Sequence, residues 1–199
     1  MIITRTPFRI SFVGGGTDFP LWYREHGGSV ISATINKFCY VSVRYLPAFF
    51  EYKHRIVYSN IELVSKLSEI KHPSVRETLR YLKVDRGVEI HHDGDLPARS
   101  GLGSSSSFTV GLIHALKALE GKIIDKESLY RQALDIEQNH IKEACGSQDQ
   151  VAAAHGGFNR ITFHQDDSIT VNPLILRPRA LKELESGLAL FYTGVSRLA

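Results

Sequence analysis

Alternating hydrophobic and polar positions predict β-strands in the first half of the chain and again near its end. Residues 2–13 alternate in this way, are rich in β-branched side chains and run into Gly14-Gly15-Gly16, which is typical of a strand that ends in a turn. The same pattern predicts strands over residues 30–35, 38–45, 56–58 and 88–91. A hairpin is predicted over residues 157–163 and 169–174, with Asp166 and Asp167 in its turn.

Helical spacing of the apolar residues predicts several helices between and after these strands. A short helix is expected over residues 19–26, one over 75–82 that begins near Pro73, and an Ala-rich one over 151–154. Two longer helices each place their apolar residues on one face: Phe108, Leu112, Ala115 and Leu119 in the first, and Leu129, Ala133, Ile136 and His140 in the second. The order of elements indicates an α+β fold with helices on one face of a mostly antiparallel sheet.

Composition narrows the class of protein. A chain of 199 residues, 43% hydrophobic and 23% charged, is long enough for one sizeable core and is ordinary for a soluble globular protein. The net charge of +3 comes from scattered basic residues, which argues against nucleic acid as a partner. No apolar run approaches the roughly 20 residues that span a bilayer, and the first residues do not form a signal peptide. Two cysteines do not make a disulfide framework, so we expect a cytoplasmic protein.

The segment from Asp95 to Ser107 carries the first chemical signal. Gly101 and Gly103 allow the backbone to turn tightly and approach a ligand, and the serines that follow open a helix whose N-terminus favours an anion such as phosphate. No lysine completes the pattern G-x-x-x-x-G-K-[ST], so the segment is not a Walker loop. Taken alone, it is also compatible with an ordinary Gly/Ser turn and helix N-cap.

Two further segments give the chain a family resemblance. Residues 5–20 include Gly14-Gly15-Gly16-Thr17-Asp18 and resemble the first motif of the GHMP kinases, while residues 101–107 resemble the phosphate-binding motif of that family. Residues 137–150 resemble the segment that carries its metal-binding Glu and catalytic Asp. The Gly-Gly-Gly-Thr-Asp form of the first motif is similar to that of bacterial heptose 7-phosphate kinases and fucokinase-type sugar kinases.

The resemblance implies a fold and a division into domains. The chain is expected to form the N-terminal domain of a GHMP kinase, a ribosomal-protein-like two-layer α/β fold that binds ATP and the sugar, over residues 1–186. Residues 187–199 would be the start of a truncated C-terminal domain, which is ferredoxin-like in the family and mostly absent here.

The resemblance also implies catalytic roles for Asp149 and Arg9. Asp149 would accept the proton of the attacking sugar hydroxyl, and Arg9 would orient Asp149 and steady the developing charge. Each residue also has a simpler interpretation. A carboxylate in the first turn of a helix matches the helix dipole, and a strand-face arginine can belong to a surface ion pair.

ATP and Mg²⁺ are the cofactors that the resemblance implies. The ATP-binding residues would be Pro97, Gly101, Leu102, Gly103, Ser104, Ser105 and Ser106. Mg²⁺ prefers oxygen ligands, and Ser105 and Glu137 would supply them. Ser104 competes with Ser105 for this role, although it is equally well placed as an N-cap. Without the motifs, Glu137 would be read as a solvated helix carboxylate.

The acceptor is expected beside Gly15, Gly16, Thr17 and Asp18. The partners would be ATP and a sugar phosphate, with no nucleic acid and no membrane, and a homodimer is left open. The resemblance implies a reaction that transfers the γ-phosphoryl group to the anomeric hydroxyl of D-glycero-D-manno-heptose 7-phosphate and gives the 1,7-bisphosphate. Two alternatives stay open, which are a fucokinase- or galactokinase-like sugar kinase and a non-catalytic protein that binds sugar and ATP.

Overall fold

The computed structural model describes residues 1–97 and 100–191 of the chain. Seven strands form one sheet: β1 (Ile2–Val13), β2 (Gly28–Tyr45), β3 (His54–Val57), β4 (Ile61–Val64), β5 (Val88–Gly94), β6 (Phe158–Phe163) and β7 (Ile169–Pro173). The α-helices are α1 (Pro20–His26), α2 (Pro73–Tyr81), α3 (Ser104–Leu119), α4 (Lys126–Asp135), α5 (Gln148–His155) and α6 (Pro178–Ser186). A 3₁₀ turn over Leu67–Glu69 and a π-helix over Ile136–Ile141 complete the elements.

The long strand β2 organises the sheet. It pairs antiparallel with β1 along one edge, and with β6 and then β5 along the other. β3 runs parallel to β5, and β4 and β7 lie at the two ends of the strand order β4-β3-β5-β2-β6-β7. The expectation of a mostly antiparallel sheet in an α+β fold is therefore confirmed.

Several elements differ from the sequence prediction. The two strands expected at 30–35 and 38–45 are one strand, because β2 continues through Asn36 and Lys37 while β1 absorbs a register shift between Pro7 and Arg9. The edge strand β4 and the helix α6 were not predicted. The expected start of a second domain at 187–199 lies largely outside the described residues, because 192–199 are not among them.

Helix α3 lies at the centre of the helical layer and determines where the site forms. Residues Ser106–Gly111 of this helix are all buried, and its apolar side chains join the core that β2, β5 and α2 share. Gly111 lies so close to β1 that a Cβ there would stand 2.7 Å from Thr6 Oγ1. Thr4 Oγ1 donates a hydrogen bond to Gly111 O at 2.9 Å. This close packing brings the N-terminus of α3 beside the middle of β1.

Helix α6 differs from α2–α5 because none of its residues is buried. It borders a cavity of about 630 Å³ whose other walls come from β1, β2, β6 and the residues next to them. Within the described ranges, none of the helices is long and apolar enough to cross a membrane.

Candidate active site

The glycine-rich loop before α3 has the conformation that an anion-binding turn requires. Gly101 and Gly103 have φ angles of 76° and 75°, in the left-handed region that side chains disfavour. Gly103 is the N-cap residue of α3, so Ser104 is the first helical residue and not the cap. The hydrogen bond from Ser107 N–H to Gly103 O at 2.9 Å closes the first turn. The start of this helix therefore directs backbone N–H groups toward the loop.

Arg9 joins this loop to the predicted catalytic carboxylate. Its Nε and Nη2 donate to the two oxygens of Asp149 at 2.6 and 2.8 Å, which makes a bidentate ion pair. Its Nη1 donates to Gly101 O at 2.7 Å, and its backbone N–H donates to Leu102 O at 3.1 Å. The side chains of Arg9 and Asp149 are only 12% and 24% exposed, so bulk water screens the pair weakly. The structure thus brings Arg9, Asp149 and the loop together.

Asp149 lies in the first turn of α5, where its carboxylate meets the glycine loop. A Cβ on Gly103 would stand 3.3 Å from Asp149 Oδ2, so the absence of a side chain at Gly103 lets the two approach. Burial raises the pKa of Asp149, and the adjacent Arg9 opposes that rise. A carboxylate with a raised pKa accepts a proton more readily than an exposed aspartate does.

Glu137 is held in a second group of polar residues behind the loop. It lies in the π-helix, is 1% exposed, and its Oε2 accepts hydrogen bonds from Ser106 Oγ at 2.9 Å and from Gln150 Nε2 at 2.5 Å. Burial raises its pKa to about 7, despite hydrogen bonds that favour the charged form. Glu137 is therefore not the solvated helix carboxylate that its residue type alone suggests.

The environment of Glu137 fits a divalent cation in one specific way. Its Oε1 is buried and makes no well-formed hydrogen bond to a described residue, although Thr109 also favours the charged carboxylate. Mg²⁺ is commonly held by one or two carboxylates together with substrate phosphates and water. Among the described residues there is no group of three or more His, Cys, Asp or Glu residues that could hold a metal by itself. The donor set suits a cation that arrives with phosphate.

The serines and the proline of the loop occupy different environments. Ser105, the predicted metal ligand, is exposed, whereas its neighbour Ser106 is buried and is the serine that bonds to Glu137. Pro97 is exposed at the other end of the loop, and Leu102 packs against the main core.

Hydrogen bonds of Thr17 and Asp18 hold the triple-glycine turn in place. Thr17 Oγ1 donates to Gly14 O at 2.8 Å and accepts from Ser29 N–H at 3.1 Å, which ties the turn to the start of β2. Asp18 is 1% exposed, and its carboxylate accepts a hydrogen bond from the backbone N–H of Gln148 at the start of α5. Gly15 lies nearby, because a Cβ there would stand 3.9 Å from Gln148 Nε2. The turn therefore lies beside the residues that directly precede Asp149 in the chain.

Two residues of the site were missed as partners of Glu137. Gln150 follows Asp149 directly in the chain, and its amide is fully buried against Glu137. Ser106 was assigned only to the phosphate loop. A buried glutamine in the first turn of a helix is a weak sequence signal, because only the fold shows which carboxylate it meets.

Comparisons with known proteins find similar sequences and structures among sugar kinases. Residues 68–157 match the family model described as GHMP kinases N terminal domain. A curated D-glycero-alpha-D-manno-heptose 7-phosphate kinase of Campylobacter jejuni is 29% identical over the whole of this chain, and a bifunctional fucokinase/GDP-fucose pyrophosphorylase of Arabidopsis thaliana is 26% identical over 97% of it. A solved D-glycero-D-manno-heptose 1-phosphate kinase from Bacteriodes thetaiotaomicron superimposes with a TM-score of 0.85 at 28% identity over 94% of this chain.

These relatives are longer than the chain. The chain spans 61% of the Campylobacter relative, 20% of the Arabidopsis relative and 64% of the Bacteriodes chain.

Proposed function

Since the chain carries a GHMP kinase N-terminal domain, we propose that it belongs to an ATP-dependent kinase that phosphorylates a hydroxyl of a sugar phosphate. The acceptor is D-glycero-D-manno-heptose 7-phosphate, phosphorylated on its anomeric hydroxyl to give the 1,7-bisphosphate. The observation that carries the proposal is the bidentate Arg9–Asp149 pair docked on the glycine loop.

The proposed reaction uses Asp149 and Arg9 directly. The acceptor hydroxyl attacks the γ-phosphorus of ATP, its proton passes to Asp149, and ADP leaves with the electrons of the broken P–O bond. Burial raises the pKa of Asp149, which suits this proton transfer. Arg9 orients the carboxylate and lies where negative charge develops. The third hydrogen bond of the Arg9 guanidinium, to Gly101 O, fixes the position of the base Asp149 relative to the phosphate loop.

The donor side of the proposed site is the loop from Pro97 through Ser106. Its left-handed glycines and the N-terminus of α3 suit the phosphates of ATP. Glu137 and Ser105 would hold Mg²⁺, which when bound supplies charge neutralisation to the phosphates. The buried Oε1 of Glu137 supports that role.

The acceptor side of the proposed site is the turn of residues 14–18. The side chains of the Glu and His that galactokinase-like motifs place here are replaced by Gly15 and Gly16, which opens space at this turn. This space favours an acceptor larger than galactose. A fucokinase-like activity is the second candidate, because the Arabidopsis relative named above matches nearly the whole chain.

An acceptor screen tests the proposal. The full-length protein is incubated with Mg·ATP and, separately, heptose, heptose 7-phosphate, heptose 1-phosphate, fucose, galactose and mevalonate, and ADP release is measured. We expect turnover with heptose 7-phosphate at a kcat/KM at least tenfold above every other acceptor. Turnover with galactose or mevalonate alone would contradict the heptose assignment. Binding of ATP and sugar phosphate without turnover of any acceptor would favour a non-catalytic protein.

A further inference from the structure

Asp18 has few ways to reach a bound sugar in this structure. The residue is 1% exposed, and both of its carboxylate oxygens already accept backbone hydrogen bonds. Gly16 N–H donates to Oδ1 at 3.0 Å, and Gln148 N–H donates to Oδ2 at 3.2 Å. A carboxylate that accepts hydrogen bonds from backbone N–H groups on both oxygens stabilises the local backbone conformation.

The contact between Asp18 and the segment before α5 is unusually close. A Cβ on Gly146 would stand 1.9 Å from Asp18 Oδ2 and 2.6 Å from its Cγ, so only a glycine fits there while the carboxylate is in place. Ser147 N–H donates to the backbone oxygen of Asp18 at 2.9 Å. Asp18 thus contacts three consecutive residues, which are Gly146, Ser147 and Gln148.

These contacts lead directly to the catalytic carboxylate. Gln148 is the first residue of α5 and Asp149 is the second, so a bond to the Gln148 amide fixes where the helix begins. Arg9 holds the carboxylate of Asp149 from the other side. The backbone of Asp149 is therefore held through Asp18 and its side chain through Arg9.

We propose that Asp18 is a positioning residue, which fixes the start of α5 and with it the base Asp149. This role rests on the proposed function of Asp149. A sugar contact made equally in the ground and transition states predicts a raised KM when Asp18 is removed, with kcat unchanged. Positioning predicts the opposite pattern, because a displacement of about 1 Å at a catalytic group can cost on the order of 10²-fold in rate.

Kinetics of Asp18 variants in the full-length protein separate the two roles. For Asp18→Ala we expect kcat to fall by about 10- to 100-fold, with the KM of the acceptor changed less than threefold and Mg·ATP binding unchanged. Asp18→Asn retains one acceptor oxygen and should recover part of the loss. Asp85→Asn, which neutralises an exposed aspartate in the loop before β5, is the control and should match the wild type. A KM raised tenfold at an unchanged kcat would overturn the proposal.

Gly146 provides a test that leaves the aspartate itself intact. Gly146→Ala should displace the carboxylate and lower kcat in the same way. The double variant Asp18→Ala/Gly146→Ala should lose no more activity than Asp18→Ala alone, because the nearest atoms to the added methyl group belong to the removed side chain. Multiplying losses in the double variant would contradict a shared mechanism.

Hydrogen exchange on the 199-residue chain tests the positioning role of Asp18 without a measurement of catalysis. In Asp18→Ala, the amides of Gly16 and Gln148 should exchange at least tenfold faster than in the wild type, while the amide of Val151 inside α5 stays protected. Unchanged exchange at Gln148 would overturn the positioning role. A full-length protein without kinase turnover would instead contradict the proposed function, and the exchange result would still decide what Asp18 does.

Discussion

Arg9 and Asp149, the proposed catalytic pair, are fixed by three hydrogen bonds of one guanidinium. The planar guanidinium of Arg9 offers donors in a fixed fork, and the structure uses three of them: two on Asp149 and one on Gly101 O. A lysine at the same position could not make this set of contacts. The arrangement fixes the base relative to the loop before any ligand binds.

Replacement of Asp149 by asparagine tests its part in the reaction. In the full-length protein, Asp149→Asn should lower kcat by on the order of 10²-fold or more, because the amide cannot accept the proton. The affinity for Mg·ATP, measured by calorimetry, should stay within a factor of three, since other residues form the phosphate loop. A folded variant with near-normal turnover would remove Asp149 from the mechanism.

Glu137 gives a second prediction at the residue scale, through its pKa of about 7. An unfolded chain releases this proton near pH 4.5, so the folded state binds the proton more tightly than the unfolded state does. The stability that Glu137 contributes is therefore greatest below pH 4.5 and is lost as the pH rises to about 7. In the absence of metal, Glu137→Gln should raise the melting temperature relative to the wild type at pH 8.

The control for this comparison is Glu51→Gln, which changes an exposed glutamate and should have no such effect. In thermal unfolding of the 199-residue chain, the advantage of Glu137→Gln at pH 8 should vanish at pH 4.5. Addition of Mg·ATP at pH 8 should stabilise the wild type more than Glu137→Gln, because the variant lacks the charged ligand. A melting temperature that is lower in Glu137→Gln at both pH values would contradict the assigned cause.

At the scale of elements, the sequence predicted those whose hydrophobic pattern is regular. Strand β1, helices α2 and α3 and the β6–β7 hairpin lie within a few residues of their predicted positions. Strand β4 was missed because its pattern is inverted. Glu62 is buried while Ile61 and Leu63 are exposed. The Glu62 carboxylate accepts the backbone N–H groups of Lys71 and His72, a compensation that periodicity cannot show.

The site was predictable as a set of motifs but not as an arrangement. Glycine conformation and helix N-termini follow from local chemistry, which is why the phosphate loop could be identified. The π-helix that carries Glu137 and the burial of Asp18 depend on packing between distant segments. For the same reason, the sequence did not show that Ser106, and not Ser105, bonds to Glu137.

Helix α2 offers a prediction at the element scale, because a histidine caps it. His72 Nδ1 accepts the backbone N–H of Val75 at 3.4 Å, and its ring lies against Tyr58 and Phe108. Burial lowers the pKa of His72 to about 4. The unfolded state therefore takes up a proton as the pH falls below 6.5 while the folded state does not, and the contribution of His72 to stability is lost toward pH 4.

Replacement of the cap by asparagine should remove this pH dependence. His72→Asn keeps a side-chain oxygen that can cap α2. For the wild type, His72 should account for a loss of about 2 kcal/mol in the free energy of unfolding between pH 7 and pH 5. The variant should lose correspondingly less over that interval in chemical denaturation, whatever its stability at pH 7. An equal loss in both proteins would contradict the role of His72.

At the scale of the whole molecule, the described chain contains the proposed catalytic pair and the proposed phosphate loop, while its relatives are longer. Two clusters of buried hydrophobic residues connect the sheet with α1–α5, and a third joins α3, α4 and α5. We propose that a C-terminal domain completes the cleft in the full-length kinase.

Unfolding, ligand binding and turnover of the isolated 199-residue chain test whether a second domain is needed. The chain should unfold in a single transition and bind Mg·ATP weakly, with a melting temperature that rises with ligand concentration. It should show no turnover of heptose 7-phosphate under conditions in which the full-length protein is active. Turnover by the chain alone, at a rate within tenfold of the full-length protein, would contradict the need for a second domain.

The most direct test of the central claim is ³¹P NMR of one reaction. The full-length protein is mixed with Mg·ATP and heptose 7-phosphate in equal amounts, and the phosphorus signals are followed over time. We predict that the γ-phosphate signal of ATP disappears while ADP and an anomeric sugar phosphate appear in equal amounts, with the phosphate at carbon 7 retained. Persistence of ATP, or release of its γ-phosphate as inorganic phosphate without a new sugar phosphate, would contradict the account.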